Sequence, residues 1–71
     1  MILYMKVGSV TNAQRGAAAL KRQGYKPVIK RLENPTKTDG CGYVIVVRAQ
    51  DDEPVNIVEK SGVRVRSVDR E

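Results

Sequence analysis

The sequence predicts a single α+β domain over residues 1–71, with strands and helices in the order βαββαβ. Three observations carry that expectation. Ile2 to Val7 and Tyr43 to Val47 are apolar runs of strand length, rich in large or β-branched side chains. Two further stretches, beginning at Ala13 and at Pro54, repeat small or apolar residues at i, i+3, i+4 and i+7, the stripe of a helix that buries one side. A basic segment at Lys26 to Glu33 and an alternating one at Val63 to Arg66 complete the pattern.

Taken in order, the first strand covers Ile2 to Val7 and closes at Gly8. Ser9-Val10-Thr11-Asn12 supplies N-cap residues for a helix whose stripe is Ala13, Gly16, Ala17 and Leu20. Gly24 suits the left-handed residue that ends such a helix. The second strand, Lys26 to Glu33, has Pro27 near its start, which suits a sheet edge. Its inward face is ambiguous, because Val28 and Leu32 share a side with Lys30, and Ile29 shares one with Arg31. Asn34 to Gly42 reads as a polar loop with Pro35 and the turn pair Asp39-Gly40. The third strand, Tyr43 to Val47, is continuous enough to be central. Asp51-Asp52-Glu53 supplies cap and first-turn acids for a second helix, Pro54 is tolerated in its first turn, and Pro54, Ile57, Val58 and Ser61 form its stripe before Gly62. Val63 to Arg66 alternates as a half-exposed last strand should.

Two crossovers in so short a chain give a ferredoxin-like sandwich, an antiparallel four-stranded sheet in the order 4-1-3-2 with both helices on one face. The charges agree with it. Lys26, Lys30, Arg31, Arg64 and Arg66 fall on the two expected edge strands, where they discourage edge-to-edge pairing.

Thirteen Lys and Arg against eight Asp and Glu leave a net charge of +5, spread along the whole chain. One cysteine and no histidine exclude an internal disulfide and a structural zinc site. The opening apolar run is too short for a signal peptide or a membrane span, so the expectation is a cytoplasmic chain with a reduced thiol and no membrane partner. No acid–base pair, Ser–His set, phosphate loop or cofactor motif is present, which argues against an enzyme acting alone.

The remaining chemical group is Cys41, held between Gly40 and Gly42. In the expected topology the loop before the third strand meets the start of the first helix, near Ser9, Thr11 and Asn12. The unpaired N–H groups there favour anions and lower a thiol's pKa from about 8.5 towards neutrality. Lys37 in the same loop adds positive charge, and the two glycines leave the sulfur open to a second active site. A buried structural thiol is the competing reading, since free cysteine is among the most buried residue types.

The segments Ser9-Val10-Thr11-Asn12-Ala13, Leu20, Gly24-Tyr25, Lys30-Arg31-Leu32-Glu33-Asn34-Pro35 and Asp39-Gly40-Cys41-Gly42-Tyr43 resemble a small bacterial family of unknown function described as selenium/sulfur carrier-like proteins. The resemblance covers nearly the whole chain, and its most specific element is the Gly-Cys-Gly triplet. It implies that Cys41 carries sulfur or selenium as a persulfide or selenopersulfide, taken from a cysteine desulfurase-like donor and passed to an acceptor protein.

Two alternatives stay open. The same element order belongs to the RNA-recognition motif, and Gly40, Gly42, Tyr43 and Val44 match its signature, with Tyr4 as the second aromatic and Lys30, Arg64 and Arg66 as phosphate contacts. Asp39, Cys41 and Val46 depart from that signature, and at most two bases could stack. The third reading is an interaction module: outward-facing Tyr4, Val44 or Val46 would form an apolar patch that a homodimer could cover.

Overall fold

The computed structural model describes residues 1–31 and 42–71. It contains β1 (Ile2–Val7), α1 (Val10–Arg22), β2 (Val28–Arg31), β3 (Tyr43–Arg48), α2 (Glu53–Lys60) and β4 (Ser67–Arg70). The strands form one sheet in the order β2-β3-β1-β4, with every neighbouring pair antiparallel. That is the expected 4-1-3-2 order read from the other edge.

Alternation along β1 decides which face is covered. Leu3, Met5 and Val7 are fully buried, and they lie opposite Val47, Ile45 and Tyr43 of β3. Ile29 of β2 and Val68 of β4 extend this face to both edges. Ala13 and Leu20 of α1 and Val58 of α2 join the same core, so both helices lie against this one face. Full burial of a side chain the size of Leu20 or Ile45 stabilises the fold by about 1.5–3 kcal/mol, which matters in a chain this small.

The α1 stripe is buried as its spacing predicts, at Ala13, Gly16, Ala17 and Leu20. Gly16 lets the helix come close: a Cβ there would stand 2.8 Å from Ile45 Cδ1 and 3.0 Å from Val58 Cγ1. Ser9 caps the helix, its hydroxyl oxygen accepting the Asn12 backbone N–H at 3.1 Å. Gly24 and Gly62, with φ of +91° and +94°, take the left-handed turns that follow α1 and α2.

The run Asp51-Asp52-Glu53 supplies the cap and a first-turn acid of α2, as expected. Asp52 occupies the N-cap position but caps nothing with its side chain. The Glu53 N–H donates instead to Asp51 Oδ1 at 3.0 Å. The Asp52 carboxylate holds the Arg70 guanidinium through two bonds of 2.8 and 2.9 Å, tying the start of α2 to β4.

Two strands differ from their expected limits. The regular part of β2 is Val28–Arg31, leaving Lys26 and Pro27 ahead of it, while Leu32 and Glu33 lie outside the described residues. The last strand is Ser67–Arg70, not Val63 to Arg66. Val63 is buried against the end of α2, and its N–H donates to Val58 O at 3.4 Å, so its apolar character serves the helix terminus. The chain then crosses to the sheet edge, and Arg66 is the first residue to bond there, donating its N–H to Lys6 O at 2.8 Å.

Candidate functional site

The register places the start of β3 against the end of β1, since Tyr43 lies opposite Val7. Gly42, which precedes Tyr43, is buried. At the same end Gly8 and Ser9 lead from β1 into α1, and Arg64 to Arg66 pass beside Lys6 on the way to β4. Three chain segments converge there.

Gly8, Asn12, Arg64, Val65 and Arg66 line a concavity of about 450 Å³ at this end. A Cβ at Gly8 would stand 4.0 Å from Arg66 Cδ, an ordinary van der Waals contact. No acidic side chain stands in the first turn of α1, so nothing on the helix neutralises its positive end. Arg64 and Arg66 are exposed, and neither has an acidic partner among the described residues. Thr11 is exposed on the first turn, while Ser9 and Asn12 are half-buried. The region is thus a shallow cationic hollow framed by a helix N-terminus and two guanidinium groups.

Cys41, Gly40 and Lys37 lie outside the described residues. Of the residues expected around the thiol, Ser9, Thr11, Asn12 and Gly42 are brought to one end of the sheet. The contribution of Arg64 and Arg66 to this end escaped sequence reasoning, which assigned them to an edge strand. The available signal was Gly62, because a chain leaving a helix there must cross the layer before it can pair.

The residues expected of a nucleic-acid interface are distributed differently. Tyr4 lies opposite Val46 on the open face of the sheet, whereas Tyr43 lies opposite Val7 and packs partly buried against the core. The two aromatics are on opposite faces and form no common platform. Lys30 is on the open face, opposite Val44, and Arg64 and Arg66 line the hollow at the sheet's end.

Tyr4 titrates above its ordinary range. Partial desolvation is the largest cause, and the Glu71 carboxylate adds to it by repelling the phenolate and accepting the phenol's hydrogen bond. Among the described residues no group of three or more His, Cys, Asp or Glu side chains is placed to hold a metal ion, and no helix is long and apolar enough to cross a membrane. Comparison of the chain with protein-family models, with curated proteins and with solved structures finds no match.

Proposed function

We propose that this chain is a sulfur or selenium carrier of a reducing cytoplasm, in which Cys41 holds the cargo as a persulfide or selenopersulfide. The observation that supports the reading is the position of Gly42, buried at the start of β3, at the sheet end that also carries the α1 N-terminus, with no acid in its first turn, and Arg64 and Arg66. Positive potential at this end would favour the thiolate of a cysteine joined to Gly42, and glycine on either side of Cys41 in the sequence adds no side chain beside the sulfur.

The transfer conserves electrons and atoms. The Cys41 thiolate attacks the outer sulfur of a donor persulfide, a new S–S bond forms to Cys41, the donor S–S bond breaks, and the donor leaves as a thiolate. An acceptor thiolate repeats the step in the opposite sense. Selenium follows the same path as a selenopersulfide. With one cysteine in the chain, no internal thiol can discharge the cargo before an acceptor arrives.

Alkylation of Cys41 across a pH series tests the electrostatic basis of the proposal. The rate is expected to reach half its plateau below the ordinary cysteine value of about 8.5. Replacing Arg64 and Arg66 by Ala should move the midpoint upward. A slow thiol with an ordinary or raised midpoint, unmoved by the arginine replacements, would remove the physical support for the carrier.

A further inference from the structure

We propose that the end of the sheet where β1 passes into α1 is a docking surface for an acidic segment of a partner protein. This rests on the carrier reading, in which the protein that gives or takes sulfur must come to the same end. The register gathers basic side chains there. Lys6 and Lys30 flank Val44 from its two neighbouring strands, and the Arg66 N–H donates to Lys6 O at 2.8 Å. Arg31, opposite Tyr43, stands one residue further out, and Arg64 lines the hollow beside Gly8. Lys30, Arg31, Arg64 and Arg66 are all exposed. In the helical layer Arg15 reaches this end too, its Nη1 lying 3.7 Å from where a Cβ on Gly62 would stand.

Most of the described acids are elsewhere. Asp51, Asp52 and Glu53 lie at the far end, where α2 begins and Asp52 is bound to Arg70. Glu71 is there as well, bonded to Ile2 through the backbone, and Asp69 lies at mid-sheet opposite Tyr4. These acids match in number the bases on their side of the molecule, Lys21, Arg22, Lys26, Arg48 and Arg70. Among the described residues only Glu59, in the last turn of α2 beside Lys60, shares the basic end. The sequence that joins Arg31 to Gly42 holds two acids, Glu33 and Asp39, against one base, Lys37, which the basic groups of this end outnumber. The net charge of +5 is therefore one-sided and not spread evenly over the surface.

A one-sided charge attracts an acidic partner before contact and decides which end meets it. Arg31, Arg64 and Arg66 suit carboxylates in particular, because the planar guanidinium pairs with a carboxylate through two hydrogen bonds. A nucleic acid strand is the less suitable occupant. Its phosphates would find the cations, but Tyr4 and Tyr43 lie on opposite faces and offer bases no shared stacking surface.

Nuclear magnetic resonance titration of the isotopically labelled Cys41→Ser chain with a polyglutamate peptide tests the proposal. An oligothymidylate of equal charge is titrated in parallel, and circular dichroism confirms that each variant is folded. Amide shifts should concentrate at Lys6 to Asn12, Arg31 and Arg64 to Arg66, and binding should weaken steeply as salt rises to about 0.15 M. Arg64→Glu together with Arg66→Glu should weaken peptide binding about tenfold or more. Lys21→Glu together with Arg22→Glu, an equal charge change at the far end, should leave it within about twofold. Shifts scattered over the whole surface, or equal losses from the two double variants, would overturn the docking end. Tighter binding of the oligothymidylate than of the peptide would overturn the acidic partner and give the surface to nucleic acid. Because no sulfur takes part, this titration can fail while Cys41 still accepts sulfur from a desulfurase, and it can succeed while Cys41 accepts none, so the two proposals fall separately.

Discussion

Tyr43 on β3 lies directly opposite Val7 on β1. This pairing fixes two things at once. It brings the beginning of the third strand to the point where the first strand gives way to α1, so Gly42, Gly8 and Ser9 share one end of the sheet. It also turns Tyr43 towards the helices and away from Tyr4, separating the only two aromatics that a base-stacking surface was expected to use.

Gly16→Ala should destabilise the protein even though alanine is the better helix former. The added methyl would sit 2.8 Å from Ile45 Cδ1 and 3.0 Å from Val58 Cγ1, both on fully buried side chains. Overpacking costs about 1–3 kcal/mol and the propensity gain returns about 1, for a net loss of about 1 kcal/mol. Urea unfolding measures it; an unchanged or raised midpoint would show that α1 can move outward freely.

Asp52→Asn should lower the melting temperature at neutral pH by loosening the start of α2 from β4. The hydrogen bond from Arg70 holds the Asp52 carboxyl below its ordinary pKa, against a smaller opposing effect of desolvation. A depressed carboxylate stabilises the fold above its unfolded pKa of about 3.9, and that contribution disappears as pH falls through the lower folded value. The gap between native and variant melting curves should therefore be full at pH 7 and close in strong acid. A gap independent of pH would mean that the ion pair is not its source.

Tyr4 should ionise above pH 10, and Glu71→Gln should bring it down towards the ordinary value. Its folded pKa is raised, so the associated stability is present below the unfolded value of about 10 and is lost as pH rises through the folded one. Ultraviolet titration of the native protein, less that of Tyr4→Phe, isolates the signal. A Tyr4 component at or below pH 10 would contradict the placement of Glu71 beside it.

The helical and central-strand pattern was legible in the residues because burial wrote it there. Ile2 to Val7 is an apolar run of strand length, and Ala13, Gly16, Ala17 and Leu20 recur at helical spacing, whereas the burial of Leu3, Met5 and Val7 on one side of that run is seen only in the structure. The edges were less legible. In β2, Val28 and Lys30 share one side, and only pairing with Val46 and Val44 shows that it is the open face. In β4, the alternation from Val63 to Arg66 imitates a strand, although Val63 packs on α2 and the ladder begins later. For the candidate site, a cap within Ser9 to Asn12 was readable from its position before a helical stripe, and the structure assigns it to Ser9. The convergence of Arg64 and Arg66 on the same end was not, because it depends on where the chain crosses after Gly62.

The measurement that tests the carrier most directly is intact-mass spectrometry, without reductant, after incubation with a cysteine desulfurase and cysteine, with Cys41→Ser alongside. The account predicts a gain of one sulfur atom on the native chain, none on the variant, and loss of that sulfur when a small thiol is added as acceptor. A native chain that acquires no sulfur while the desulfurase turns over, or a gain that persists in Cys41→Ser, would contradict it.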